Sequence, residues 1–131
     1  MADTERSWQP ITANKNAPAP AGAYSAVARA GNLVFVSGQI PKDPATGEIV
    51  KGDVRVQTRR VLENIRLALA TAGLGLDDVV SVTAYLANVD DWGAFNQIYR
   101  EILKAPYPTR TTVGAQLRGI LVEISAIAAT K

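Results

Sequence analysis

Pro106-Tyr107-Pro108-Thr109-Arg110-Thr111-Thr112-Val113-Gly114 and, beyond a turn at Arg118-Gly119, Leu121-Val122-Glu123-Ile124-Ser125-Ala126-Ile127-Ala128 read as two β-strands with one charge in each. β-Branched residues crowd both runs, as a pleated, half-buried surface requires. A charge in such surroundings loses hydration, so Arg110 and Glu123 each need a partner or a ligand. Working outward, Trp92, Phe95, Ile98, Tyr99, Ile102 and Leu103 keep helical spacing after Asp90 or Asp91, and Ala105-Pro106 ends that helix. Residues 79–86 read as a further strand, with Val80, Val82, Ala84 and Leu86 on one side and Ser81, Thr83 and Tyr85 on the other.

Val54, Thr58, Val61, Leu62, Ile65, Leu69 and Ala72 form one helical stripe, with Asp53 placed to cap its start and Gly73 to stop it. The opposite face carries Arg55, Arg59, Glu63 and Arg66, the pattern of a solvated surface. Residues 24–29 and 33–37 are β-favouring runs separated by Ala30-Gly31-Asn32, a hairpin connection. Leu33-Val34-Phe35-Val36 is apolar on both faces and belongs inside a sheet. Pro41-Lys42-Asp43-Pro44-Ala45-Thr46-Gly47 is an exposed turn. Residues 9–22 are rich in proline, alanine and glycine and read as an extended lead-in, so the ordered core is expected to begin near Ala23.

The order strand, strand, helix, strand, helix, strand, strand implies an α+β domain, a mixed sheet with helices on one face. Val36, Val80, Val82, Val122, Ile124 and Ile127 offer more apolar sheet surface than two helices hide, which points to oligomerisation.

The 131 residues suit a single domain spanning 1–131, with residues 1–20 an extended or flexible N-terminal segment. An apolar fraction of 47% with 20% charge fits a globular chain, and no apolar run reaches membrane-spanning length. The N-terminal residues lack a signal or transit pattern, so a cytoplasmic location is expected. A net charge of +2 gives no footprint for nucleic acid. The chain contains no histidine and no cysteine, which removes thiol nucleophiles, histidine bases and the common zinc sites. Neither a metal nor a cofactor is expected.

Chemistry must then come from arginine, carboxylates, hydroxyls, backbone and water. Arg110 can grip a small carboxylate through two parallel hydrogen bonds. Pairing with Glu123 satisfies the same charge, and spacing alone ranks the two readings equal. Glu123 suits a water-orienting base or proton shuttle, or it is an outward residue on a half-exposed strand. Gly38, in Ser37-Gly38-Gln39, leaves room for a ligand near backbone donors, and Tyr24 can lay its ring or hydroxyl beside it; a strand-end glycine and a core tyrosine are the structural alternatives.

Ala21-Gly22-Ala23-Tyr24-Ser25-Ala26-Val27, Leu33-Val34-Phe35-Val36-Ser37-Gly38-Gln39-Ile40-Pro41, Gly52-Asp53-Val54 with Gln57-Thr58, Pro108-Thr109-Arg110-Thr111-Thr112-Val113 and Val122-Glu123-Ile124-Ser125-Ala126-Ile127-Ala128 resemble the RidA (YjgF/YER057c/UK114) family. The resemblance runs from about Ala17 to Ala128. It implies a chorismate-mutase-like α+β fold and a homotrimer with inward-packed sheets and ligand clefts between subunits. It also implies hydrolysis of 2-imino acids, such as the imine of 2-aminoacrylate, to 2-oxo acids and ammonia. By that resemblance Arg110 takes the substrate carboxylate, Glu123 is associated with water activation, Tyr24 and Gly38 line the cleft, and Thr112 stands where the archetype has cysteine. Ala23, Ala26 and Ser125 also depart from the family pattern, which bears on substrate preference. A non-catalytic trimer that binds 2-oxo acids is the first alternative. Ribonuclease or translation-inhibitor activity comes last, for want of a histidine.

Overall fold

A computed structural model describes residues 6–12 and 17–131. The reading of residues 1–20 therefore falls partly outside the described residues. Gln9–Ile11 (β1) lies upstream of Ala23, where the sequence reading starts the core, and pairs antiparallel with Val27–Ala30 (β2). A turn at Gly31-Asn32 returns the chain into Leu33–Gln39 (β3). Val54–Ala70 (α1) follows, then Val79–Leu86 (β4), Trp92–Ile102 (α2), Thr109–Gly114 (β5) and Val122–Ala129 (β6).

The six strands form one sheet in the order β1-β2-β3-β6-β4-β5, with β4 and β5 parallel and every other pair antiparallel. β3 is interior, as its two apolar faces require. β5 and β6, adjacent in sequence, are not neighbours: β4 lies between them.

The helical stripe holds. Val54, Thr58, Val61, Leu62, Ile65 and Leu69 are buried against β3 and β6. Asp53 accepts a hydrogen bond from Val56 N at the helix start. At the other end Gly73 takes a φ of 74°, the left-handed turn that lets Leu74 N reach Leu69 O. On the outer face Arg59 pairs with Glu101, Arg55 with Gln97 and Arg66 with Glu63, consistent with a solvated surface. α2 buries Phe95, Ile98 and Tyr99, while Trp92 stays 47% exposed. Asn88 caps the short turn Val89–Asp91 that leads into α2, its side chain accepting from Asp90 N, while Asp91, at the N-cap of α2 itself, makes no side-chain cap bond.

Two details of the strand reading change. A bulge between Val79 and Ser81 shifts the pleat, so Val79 joins Val82, Ala84 and Leu86 in the core and Val80 turns outward, 43% exposed. Val36, Val82, Val122 and Ile124 already lie beneath the helices. The apolar residues left on the helix-free face are instead Leu33, Phe35, Tyr85, Val113 and Ile127, with Ser81, Thr83, Ser125 and Thr111 among them.

Two buried amides lock loops onto α1. Asn64, fully buried, donates from Nδ2 to Ile40 O and Lys42 O, and its Oδ1 accepts from Arg60. Gln57 donates to Val50 O and accepts from Leu121 N, just before β6. These bonds set where β3 ends and β6 begins. Asn64→Ala leaves two backbone carbonyls unpaired and is expected to lower unfolding free energy by about 2–4 kcal/mol in a urea titration.

Candidate active site

Alternation along β4 decides which face each candidate residue occupies. Arg110 is in register with Val82 across the parallel β4–β5 pair, and Glu123 is in register with Tyr85 across the antiparallel β4–β6 pair. Val82 is on the helix-covered side and Tyr85 on the open side, so the two charges take opposite faces of the sheet. An Arg110–Glu123 pair within one chain does not form.

On the helix side the Arg110 guanidinium lies over aromatic rings of α2. Its Cζ is 4.6 Å from the Tyr99 centroid and 5.5 Å from those of Trp92 and Phe95. Nη1 donates to Asn96 Oδ1 at 2.8 Å. The sequence reading assigned Trp92, Phe95 and Tyr99 to the core stripe and passed over Asn96. Their spacing, with Asn96 four residues after Trp92 and three before Tyr99, is the signal that one helix face carries aromatic rings and an amide.

Stacking of this kind contributes about 0.5–2 kcal/mol. Among the described residues Arg110 has no carboxylate partner, so most of its donors remain available. It opens into a cavity of about 320 Å³ lined by Asn96, Tyr99, Arg100, Tyr107, Pro108 and Arg110, with no acidic residue among the described residues of the wall. Thr112 shares the Arg110 face of β5, opposite Ala84, and its Oγ1 is buried without a partner.

On the open face Gly38 and Glu123 meet. A Cβ at position 38 would stand 2.3 Å from Glu123 Oε2, so glycine is what gives the carboxylate its seat. Tyr24 is half exposed, not a core residue, and its hydroxyl accepts from Ala21 N. The next residues are tied to β3 beside Gly38: Ser37 Oγ donates to Ser25 O at 2.6 Å and Ser37 N to Ala26 O. Arg110 and Thr112 therefore form one group, Gly38 and Glu123 another, with Tyr24 on the segment flanking β3. Among the described residues no cluster of histidine, cysteine or carboxylate side chains is arranged to hold a metal. Among the described residues no helix is long and apolar enough to cross a membrane.

Burial holds the Tyr99 phenol above its ordinary value, aided by Tyr107 and opposed by the Arg110 charge. The folded chain thus keeps that proton longer than the unfolded chain. The resulting stability is intact below the unfolded tyrosine range and falls as pH rises through the folded value. Tyr99 Oη is buried without a partner. Tyr99→Phe keeps the ring under Arg110 and is expected to change stability at neutral pH by less than about 1 kcal/mol. It should also flatten the alkaline decline above about pH 10 in pH-dependent denaturation.

Residues 14–130 match the family described as Endoribonuclease L-PSP. A RutC family protein of Pyrococcus horikoshii is 48% identical over 116 residues, covering 87% of this chain and 92% of that protein. A 2-iminobutanoate/2-iminopropanoate deaminase of Dermatophagoides farinae is 36% identical over 113 residues, 85% of this chain and 88% of the relative. The solved YjgF gene product of Escherichia coli superposes with a TM-score of 0.86 at 34% identity, over 94% of this chain and 99% of the other. A mixed sheet with helices on one face, matched nearly end to end in fold and at these identities in sequence, shows that the chain belongs to the RidA (YjgF/YER057c/UK114) family.

Proposed function

We propose that this chain is a 2-iminobutanoate/2-iminopropanoate-type deaminase, hydrolysing small 2-imino acids to 2-oxo acids and ammonia in clefts between subunits of a homotrimer. The observation that carries the reading is Arg110: a guanidinium braced on aromatic rings, free of any carboxylate partner among the described residues, at the mouth of a cavity without acids. Such a group is built to take an external carboxylate. The deaminase relative supplies the substrate class.

Glu123, on the other face of the sheet, meets that substrate only if a second copy brings its own Glu123 to the cleft. The open face with Leu33 and Phe35, 40% and 39% exposed, supports burial of that surface between copies. In the cleft Arg110 holds the substrate carboxylate and Glu123 accepts a proton from water as its oxygen adds to C2 of the imine. Returned to the imine nitrogen, that proton completes a neutral carbinolamine; the C2 hydroxyl then gives its own proton, by way of Glu123, to the amine, which leaves as ammonia as the C2–N bond breaks and the carbonyl of the 2-oxo acid forms. Imines hydrolyse unaided in water, so positioning and proton transfer suffice and a metal or thiol is unnecessary. Gly38 keeps room for the Glu123 carboxylate, and Tyr24 and Thr112 face the substrate.

Ammonia release from 2-aminoacrylate, generated in place by a lyase, tests the reading. Arg110→Ala is expected to lower kcat/KM on the order of 100-fold or more, through loss of charge-assisted hydrogen bonds. Glu123→Gln should lower kcat by about 100-fold with KM little changed. Acceleration that survives Arg110→Ala contradicts the assigned role. Binding of 2-oxo acids with no acceleration of any imine leaves a ligand-binding trimer instead.

A further inference from the structure

The cavity beside Arg110 has a second cation. Arg100, in the last turn of α2, lines it four residues beyond Asn96, so both side chains project from the same helix face. Arg100 is exposed and makes no hydrogen bond or ion pair with any described residue, in contrast to Arg55, Arg59 and Arg66 on the outer face of α1. The same wall holds Tyr99, whose hydroxyl is buried without a partner in a residue only 3% exposed, and Tyr107. Among the described residues the wall thus offers guanidinium and hydroxyl donors and no carboxylate to compensate them. A volume of about 320 Å³ falls in the range that holds a small metabolite.

A monocarboxylate on Arg110 leaves Arg100 and the Tyr99 hydroxyl unused. We propose that the cavity prefers dicarboxylic ligands: 2-imino acids, and their 2-oxo acid products, that carry a second carboxylate on the side chain. The first carboxylate takes Arg110, as in the deaminase reading on which this inference rests, and the second takes Arg100 with the Tyr99 hydroxyl donating. Arg100 is in this sense a specificity-determining residue and takes no part in the bond changes.

Calorimetric titration of the assembled protein with 2-oxoglutarate and with 2-oxobutanoate decides the matter. Both are stable, so the result is independent of whether any imine is turned over. Wild type is expected to bind 2-oxoglutarate about 10-fold more tightly, the scale of one charge-assisted contact. Arg100→Gln should bring the two affinities within about 2-fold by weakening 2-oxoglutarate alone, while Lys104→Gln, which removes a nearby charge outside the cavity wall, keeps the preference. Equal affinities in wild type, a preference that persists in Arg100→Gln, or one lost equally in Lys104→Gln overturns the proposal, the last by showing a general field in place of a subsite.

Discussion

The constraint on which the rest of the site depends is the alternation of β4 between β6 on one side and β5 on the other. Because side chains alternate with a period of two, and Val82 pairs with Arg110 while Tyr85 pairs with Glu123, the arginine and the glutamate are sent to opposite faces. A one-residue slip in either pairing would reverse this. The register is anchored by Val82, Ala84 and Leu86, whose burial under the helices leaves no alternative phase, and the bulge at Val80 absorbs the mismatch at the strand's start. From that geometry follow a cation with no anionic partner among the described residues on one side and a carboxylate seated beside Gly38 on the other.

Each charge is tolerable for a separate reason. Arg110 loses part of its hydration but gains the faces of aromatic rings and a bond to Asn96, so the fold holds it without neutralising it. Glu123 is only half-buried and remains on a face open to solvent or to a second copy. The buried amides of Gln57 and Asn64 hold the chain just after β3 and just before β6, the strands that bear Gly38 and Glu123. Packing beneath the helices and polar clamps at the strand ends therefore act on the same small region.

Much of this was legible in the sequence. The stripe from Val54 to Leu69 announced α1, and the five matching motifs named the family and the fold. What escaped depended on neighbours that sequence order does not reveal. Nothing local shows that β4 separates β5 from β6, so a pairing of Arg110 with Glu123 stood as an equal reading until the registers were known. Val80 continues an unbroken alternation, and only pairing with β6 exposes the bulge. Gln57 and Asn64 sit at buried helical spacing with Val54, Val61 and Ile65, but an amide in a helix reads as surface until its partners are placed. The aromatic residues of α2 read as core because the same spacing serves for stacking on an arginine.

The central claim is that a working site joins Arg110 of one copy to Glu123 of another. Co-expressing Arg110→Ala and Glu123→Gln chains under different tags, and purifying through both tags, isolates assemblies that contain each variant. In a ring of three, one site in about three then carries both intact residues. Imine hydrolysis at about one third of the wild-type rate, from two parents that are each inactive alone, is the predicted result. Mixed assemblies as inactive as their parents would contradict it.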